Sequence, residues 1–392
     1  MSSSQTYSPF RSVLLREWRR MTSRCLYFGV CIILPLFTLF FMATIFGNGQ
    51  MENIPIGIVD QDNTASSRAI ARNISAVPTF KVTRHFVNEE AARKAVQKKE
   101  IYGYLSIPPK FEQDAISGKN ATLSYYYHYA LLSVGGELMA AFETSLAPVS
   151  LSPIVMQAVA LGVEQDKITT FLLPVQASNH PIYNPSLDYS VYLSQPFFFV
   201  LFQVLILLIT VYAVGIEIKF RTADEWLFVA KGNMVTAVLG KLLPYTIIFI
   251  LIGWLANYVM FGILHIPFQG SWLLMNMLTA LFVVATQALG LFLFSLFPAI
   301  SLIISIVSMV GSLGATLSGV TFPVTNMYPL VRDASYLFPV RHFTEMMQNM
   351  LYGGSGFIYL WPSVVILCIF PLLAFVLLPH LKRAIESHKY EK

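Results

Sequence analysis

The most regular feature of the chain is a series of long apolar stretches separated by short polar segments. A helix that crosses a hydrocarbon core of about 30 Å needs roughly 20 residues, because each residue advances about 1.5 Å. Stretches of that length predict six transmembrane helices, with breaks at HIPFQGS and at Pro298 in the later tract. The predicted spans are Leu26–Phe46, Pro196–Ile216, Leu242–Leu264, Trp272–Leu296, Ala299–Leu317 and Ile358–Pro379.

A helical pattern in residues 1–25 precedes the first span, which is interpreted as an uncleaved anchor because no small-residue cleavage motif follows it. Its apolar residues and its arginines fall mostly on opposite faces, as in a helix that lies in the membrane interface. The apolar face is Phe10, Val13, Leu14, Trp18 and Met21, and the arginines are Arg11, Arg16, Arg19 and Arg20. This helix is a passive headgroup anchor, a contact for a partner protein, or both.

The polar segment 47–190 follows the first span and has the length of an independent domain. Apolar runs in it alternate with helical patterns, which predicts an α/β domain with short connections. Strands are predicted at Ile54–Asp60, Lys81–Phe86, Ile101–Ile107 and Ala121–Ala130. Helices are predicted at Thr64–Ile74, after Asn88, from Pro108 and Pro109, and as two stretches between Leu131 and Leu161. The predicted fold class is an α-helical polytopic membrane protein with six transmembrane helices and an inserted α/β domain.

The composition agrees with a membrane protein. Hydrophobic residues make up 55% of the chain and charged residues 12%, about half the charged fraction of a soluble domain. This excludes a disordered chain, a nucleic-acid binder with a basic surface and an ordinary cytosolic enzyme. The three cysteines lie in or beside apolar segments, which excludes a disulfide framework and a zinc site.

The basic residues predict the orientation. Lysines and arginines are concentrated before the first span, in the segment 217–241 and in the tail 382–392. By the positive-inside rule these segments face the cytoplasm, so both termini are cytoplasmic and the domain 47–190 lies on the other side.

No energy source is visible in the chain. Transporters driven by ion gradients carry ionisable groups inside their spans, and the predicted spans contain none. There is also no phosphate-binding loop of the G-x-x-x-x-G-K-[ST] type, and no nucleophile–base pair or metal site within the spans. We therefore expect force to arrive from another protein on the cytoplasmic side.

The segment 217–241 is a candidate receiver of that force. It is long for a connection between adjacent spans, and it mixes acidic, basic and aromatic residues. Trp226, Leu227 and Phe228 are expected to be exposed there and to form a docking surface; the alternative is a solvated charged loop.

Two further groups of polar residues are of interest. In the fifth span Ser301, Ser305, Ser308 and Ser312 form one helical stripe, and Gly311, Ala315 and Gly319 form a second. Small residues in spans usually allow close helix packing; the alternative is that the serines line a translocation path with Gln203 and Thr210. Before the sixth span Arg332, Asp333, Arg341, His342 and Glu345 cluster among apolar residues.

The order of motifs along nearly the whole chain resembles an ABC-2-type permease subunit, of the exporter kind with a large extracytoplasmic domain between the first two spans. The motifs that carry this resemblance are LLREWRRMTSR, IPIGIVDQDNTASSRAI, YGYLSIPPKF, YNPSLDYSVY, GIEIKFRTADEW with GKLLPY, and SGVTFPVTNMYP with YLFPVRHFTEMMQNMLYGG. The chain departs from the family at Gln195-Pro196-Phe197, where Pro-Gly is usual, and has only an approximate form of the cytoplasmic acidic motif at Thr222-Ala223-Asp224-Glu225.

The resemblance implies that two permease copies, identical or homologous, rest on separate ATP-binding-cassette subunits that bind ATP and magnesium, while this chain binds no cofactor. It implies ATPase coupling through Glu217, Arg221, Thr222, Asp224, Glu225, Trp226 and Lys241, together with Arg16, Trp18, Arg19 and Arg20 of the amphipathic helix. It also implies short helices in the loop 318–357 that dip into the membrane from outside. We expect the charged cluster in this loop to form an external structural gate; the alternative is a substrate site. Relatives often work with a periplasmic adaptor and an outer-membrane channel, and typical cargo is a drug-like or lipid-like amphiphile.

Two other functions stay open on the sequence. A membrane-anchored receptor or scaffold would use the domain 47–190 for binding. A membrane-embedded enzyme acting on lipids is disfavoured because no catalytic set is found. The expected location is the bacterial inner membrane.

Overall fold

The structure is a computed structural model that describes residues 8–23, 27, 29–47, 49–117, 119, 121–160, 184, 188–353 and 357–387, without the side chains of 148–160, 352 and 353. Its contacts divide the chain into two compact units. The first unit combines Met1–Gly49 with Pro181–Lys392, and the second is Gln50–His180.

The first unit begins with two helices. Helix α1 is Pro9–Ser23, and it buries Val13, Glu17 and Met21 on one face. A π-helical turn at Gly29–Ile33 leads into α2, Leu34–Ile45. Together they form an apolar helix shorter than 18 residues, so the first predicted span stays a prediction.

The second unit alternates strands and helices. In chain order they are β1 Ile54–Asp60, α3 Ala65–Ser75, β2 Phe80–Phe86, α4 Glu89–Gln97, β3 Gly103–Ile107, α5 Phe111–Ile116, β4 Ser124–Tyr127 and α6 Leu132–Ala160. The sheet order is β2–β1–β3–β4, with β1 parallel to β2 and β3, and β4 antiparallel to β3. The long apolar run of β1 follows from this order, because a central strand is buried on both faces.

Side-chain caps explain where the first helices of this unit begin. The Thr64 hydroxyl accepts a hydrogen bond from the Ser67 amide, and the Ser67 hydroxyl accepts one from the Thr64 amide, which forms a capping box. Asn88 accepts a hydrogen bond from the Ala91 amide at the start of α4.

Two expectations about the helices of this unit were wrong in detail. Residues 132–160 form one helix rather than two, and α5 begins after the prolines, because Lys110 takes a left-handed conformation.

The remaining helices of the first unit follow the second unit in the chain. They are α7 Gln195–Lys219, α8 Ala223–Val229, α9 Met234–Asn257, α10 Trp272–Leu296, α11 Ile300–Leu317, α12 Pro329–Ser335, α13 Pro339–Gly353 and α14 Phe357–Glu386. A π-helical segment at Ser190–Ser194 precedes α7, and another at Tyr258–Ile263 extends α9. Among the described residues, five helices are long and apolar enough to cross a membrane, and the predicted breaks between α9, α10 and α11 are confirmed.

Aromatic side chains fill the centre of this bundle. The Phe343 ring of α13 lies 4.5 Å from that of Phe199 and 4.6 Å from that of Phe282, between centroids. All three side chains are almost completely buried. The contacts hold α7, α10 and α13 together.

Helix α11 packs on α7 through glycines. A Cβ atom at Gly311 would lie 2.9 Å from Val204 Cγ2, and one at Gly314 would lie 2.6 Å from Gln203 Nε2. Any other residue would therefore require a shift, of Val204 and its helix at Gly311 and of the Gln203 side-chain amide at Gly314. Gly319, the third member of the predicted stripe, lies beyond the end of α11 with a φ of +85°, so the stripe that packs is Gly311 and Gly314.

We expect Gly311→Val to push α11 away from α7 and to lower the free energy of unfolding by about 1–3 kcal/mol, the usual cost of overpacking. Ser312→Val adds the same side chain one residue later, on the exposed face of α11, and serves as the control. Thermal unfolding of both variants in detergent tests this. Equal melting temperatures for the two variants would contradict the packing described.

Candidate functional site

Five charged residues meet where α1, α7 and α9 pack together; we call Arg16, Glu17, Arg20, Glu217 and Lys241 the charge cluster. Lys241 Nζ lies 2.6 Å from Glu17 Oε2 and 2.7 Å from Glu217 Oε1. The side chains of Lys241 and Glu217 are 0% exposed and that of Glu17 is 1% exposed. A lysine from α9 is therefore held between carboxylates from two other helices.

Arginines from α1 complete the partners of Glu217. Arg16 donates from Nη1 to Glu217 Oε1 at 2.7 Å and from Nη2 to Oε2 at 3.2 Å. Arg20 pairs with the same carboxylate. This two-pronged geometry fixes orientation as well as charge.

Hydroxyl groups satisfy the remaining acceptor positions of the two carboxylates. Tyr245 donates to Glu17 Oε1 at 2.7 Å. Thr222, just before α8, donates to Glu217 Oε2. Both buried carboxylates therefore have several partners, which is the condition under which a buried ion pair is tolerated.

The local sequence explains how the helices come so close. A Cβ atom at Gly240 would lie 3.0 Å from Val13 Cβ and Cγ1 and 3.2 Å from the Phe10 carbonyl oxygen, so the glycine lets α1 approach α9. The next residue is Lys241, and its ammonium group therefore reaches Glu17. Gly240 thus leaves room for α1 to pack closely, and the adjacent Lys241 supplies the charge that pairs with Glu17 of α1.

Helix α8 packs against α9 beside the charge cluster. Trp226 Nε1 donates to the Ala237 carbonyl of α9 at 3.1 Å, and Lys241 Nζ lies 5.5 Å from the centroid of the Trp226 ring. Asn233 caps α9 by accepting hydrogen bonds from the Val235 and Thr236 amides. The connection between α7 and α9 is therefore ordered at both ends.

Arg16 links the buried cluster to the surface. Its Nε atom lies 3.5 Å from Oε1 of Glu225, whose side chain is 64% exposed. Burial opposes the charge of Arg16, but the hydrogen bond and the charge of Glu217, with a further contribution from Glu225, raise its pKa above the ordinary value. Arg16 is therefore positively charged at neutral pH.

Sequence reasoning missed part of this site. The predicted spans ended at Ile216 and began at Leu242, one residue short of Glu217 and Lys241, whereas α7 and α9 include both. The expectation that the spans hold no ionisable group was therefore wrong at this end. Glu17 was not considered, although its spacing of four residues from Val13 and from Met21 puts an acid on the buried face of α1, and that pattern was the available signal.

The coupling residues predicted on α8 and around it divide into two groups. Arg221, Asp224 and Glu225 are exposed. Trp226 and Leu227 are buried, which corrects the expectation that they form an exposed surface. Phe228 alone of the three apolar residues fits that expectation, because it is 83% exposed.

The two faces predicted for α1 also need correction. Trp18 is 50% exposed, although it was assigned to the apolar face. Arg16 and Arg20 turn towards Glu217 of α7, whereas Arg19 is exposed. Burial of Glu17 and attraction to Glu217 explain why the helix is rotated relative to its apolar pattern.

The residues proposed to line a path lie on different surfaces of the single chain. Gln203 and Thr210 are fully buried; the Val340 amide donates to Gln203 Oε1 at 2.8 Å, and Thr210 donates to the Ile206 carbonyl at 2.7 Å. The four serines of the stripe are all exposed on α11: Ser301, Ser305, Ser308 and Ser312. An apolar helix thus presents a row of hydroxyl groups on its outer face.

The gate residues form a second polar group, around α12 and α13. Arg341 is 7% exposed; it lies 2.8 Å from Glu345 Oε2 through Nη1, and its guanidinium carbon lies 4.3 Å from the centroid of the Tyr336 ring. His342 is fully buried, and its Nε2 lies 3.0 Å from the Tyr336 carbonyl oxygen. Arg332 and Asp333 are more exposed, and Nε of Arg332 lies 3.5 Å from Oδ1 of Asp333.

His342 is a neutral member of this group. Its pKa lies below the ordinary value for histidine. Burial and the positive charge of Arg341 lower the pKa by more than the hydrogen bond to the Tyr336 carbonyl raises it. Arg341 Nη1 lies 3.3 Å from His342 Nδ1. Because an arginine only donates, Nδ1 accepts and Nε2 carries the proton that reaches Tyr336.

We expect Lys241→Met to lower the free energy of unfolding by about 3–5 kcal/mol, because it leaves two buried carboxylates without their shared cation. Lys219→Met, an exposed lysine near the end of α7, is the control and should change little. Adding Glu17→Gln to Lys241→Met should recover part of the loss. Thermal unfolding in detergent measures all three, and a loss no larger than that of Lys219→Met would contradict the role given to Lys241.

Comparison with known proteins agrees with this architecture. Residues 26–378 match the sequence profile of the ABC-2 family transporter proteins. The chain is 21% identical over 337 residues to the inner membrane transport permease YhhJ of Escherichia coli K12, covering 81% of this chain and 82% of that one. It is 22% identical over 352 residues to the probable multidrug ABC transporter permease YbhS of the same organism, covering 88% and 89%. The resemblance inferred from the motifs is confirmed: the chain belongs to the ABC-2 family of transporter proteins.

Proposed function

We propose that this chain is the permease subunit of an exporter and that a separate ATP-binding-cassette ATPase drives it through α1 and α8. Membership of the ABC-2 family makes it the membrane subunit of an ABC transporter. The observation that carries the rest is the charge cluster, because it joins α1 to α7 and α9 through buried ion pairs. A push on α1 or α8 is thereby passed to two transmembrane helices.

The exposed residues of α8 supply a docking surface for the ATPase. Phe228 is a large apolar side chain that is 83% exposed, and Glu225 lies beside it on the same short helix. Arg16 contacts both Glu225 and Glu217. This gives a continuous set of contacts from the surface of α8 to the interior of α7.

The proposed arrangement in the cell follows the distribution of basic residues. The charge cluster and both termini face the cytoplasm of a bacterial inner membrane, and the unit containing the sheet faces the periplasm. Two permease copies, identical or homologous, pair around the path. ATP and magnesium bind to the ATPase subunits, and this chain holds neither cofactor nor nucleic acid.

The proposed cargo is a drug-like or lipid-like amphiphile taken from the cytoplasm or the inner leaflet, with a periplasmic adaptor and an outer-membrane channel continuing the route. The relative YbhS, described as a probable multidrug ABC transporter permease, supports the drug-like choice. A receptor or scaffold is the alternative, and the cluster does not favour it, because binding by the sheet-containing unit would need no such connection between α1 and the spans.

We expect Phe228→Ser to reduce co-purification with the ATPase by about tenfold or more, as for a central apolar contact in an interface. The proposed docking surface would lose its largest apolar group, while the buried cluster stays intact. Phe297→Ser removes another exposed phenylalanine, between α10 and α11, and serves as the control. Quantitative pull-down from native membranes is the measurement, and unchanged binding of Phe228→Ser would rule out this surface.

We also expect Ser305→Leu with Ser308→Leu to abolish export while assembly with the ATPase persists. Both serines lie on the exposed face of α11, and we propose that this face lines the path. Met309→Leu changes a neighbouring exposed residue conservatively and is the control. Export of a fluorescent amphiphile from vesicles measures the effect; full export by the double variant would contradict the assignment.

A further inference from the structure

A cavity of about 750 Å³ opens between the end of α11, the loop that follows it, α12 and α13. We call it the loop cavity. Its wall includes two arginines, Arg332 and Arg341, and two acids, Asp333 and Glu345. The transport proposal gives this space no ligand.

The loop cavity and the charge cluster lie near opposite ends of one span. Tyr192 lines it near the start of the span Ser190–Lys219, and Glu217 of the charge cluster lies near the other end of that span. Their separation of 25 residues along the helix corresponds to about 38 Å. A hydrocarbon core is about 30 Å thick, so a span of this length that crosses it would place the cavity at one headgroup layer and the charge cluster at the other.

Several contacts fix the charged side chains that line the cavity. Arg341 is 93% buried, and three elements fix its guanidinium: the Tyr336 ring, Glu345 Oε2 at 2.8 Å and Ser335 Oγ at 3.1 Å from Nε. Glu345 also accepts a hydrogen bond from Ser363 of α14 at 2.9 Å. The ion pair is therefore held from both sides at the edge of the cavity.

The charges favour a ligand that carries both signs. Two guanidinium groups would repel a simple cation, and two carboxylates would repel a simple anion. Arg332 is 45% exposed and Asp333 is 68% exposed, so both can turn towards a ligand. The two ion pairs, Arg332 with Asp333 and Arg341 with Glu345, carry no net charge together, and a zwitterion offers each of the four groups a further partner of opposite sign.

The surroundings of the cavity favour a lipid. The loop that forms the cavity, including α12, also carries large apolar side chains that are exposed and do not line the cavity: Phe322, Tyr328, Leu330, Val331 and Leu337. Exposed apolar residues at this density mark a surface that meets a membrane or another apolar partner. An acyl chain can lie along them while the headgroup occupies the charged wall.

We propose that the loop cavity binds the zwitterionic headgroup of a phospholipid such as phosphatidylethanolamine, with the phosphate at Arg332 and Arg341 and the ammonium group at Asp333 and Glu345. This site requires only that the spans lie in a bilayer, so it stands apart from the direction and cargo of transport. Binding involves no covalent step.

Native mass spectrometry of the full-length protein in detergent tests this, with phosphatidylethanolamine and phosphatidylglycerol that carry the same acyl chains. We expect a preference of about fivefold or more for the zwitterionic lipid, the size of one partly exposed charge pair. Arg332→Gln should weaken binding of both lipids by about the same factor. Arg383→Gln removes an exposed arginine of α14 that does not line the cavity and should leave both affinities unchanged.

Asp333→Asn separates charge recognition from simple adhesion. It should reduce the preference for phosphatidylethanolamine, because the ammonium group loses a partner and the anionic lipid loses a repulsive neighbour. Equal binding of the two lipids by the unaltered protein, or Arg332→Gln behaving as Arg383→Gln does, would overturn the proposal. Competition by free phosphoethanolamine at the concentrations at which the lipid binds would overturn the assignment to a lipid.

Discussion

The structure of the helical unit depends on one lysine placed between two carboxylates. An ammonium group buried without partners would be forced to give up its proton, and each carboxylate alone would face the same penalty. Lys241, Glu17 and Glu217 are therefore tolerable only together, and only when α1, α7 and α9 are all in place. The position of α1 therefore depends on α7 and α9, and the packing of α7 and α9 at this end depends in turn on α1.

This mutual dependence separates specificity from stability. A core of apolar side chains of equal volume could hold the three helices at least as strongly, since buried ion pairs rarely exceed their desolvation cost. Such a core would tolerate sliding and rotation, whereas the two-pronged contact between Arg16 and Glu217 does not. A protein that must transmit force gains from a contact with one permitted geometry. The same reasoning applies to Arg341 in the loop near α13, where one charged group is fixed by a ring, an acid and a hydroxyl.

Much of this architecture follows from the sequence, because the span lengths and the alternation of apolar residues are governed by membrane thickness and by helix and strand periods. The breaks before α10 and α11 were found for that reason. The burial of the charge cluster was missed because hydropathy ends a span at its first charged residue, although a helix continues where partners neutralise that charge. Glu217 and Lys241 were assigned to a polar segment in this way. The exposure of Trp226 was also misjudged, because its burial depends on a hydrogen bond to Ala237 of another helix, which no local pattern contains.

The span Ser190–Lys219 is continuous helical backbone, π-helical at Ser190–Ser194 and α-helical from Gln195, with Glu217 near one end and Tyr192 near the other. Hydrogen bonds parallel to the axis make such a helix stiff against compression. An axial displacement applied to this helix at Glu217 is therefore expected at Tyr192 as well. The hydroxyl of Tyr192 donates to the Val320 carbonyl at 2.6 Å, so the helix that carries Glu217 at one end is bonded to the loop beyond α11 at its other end.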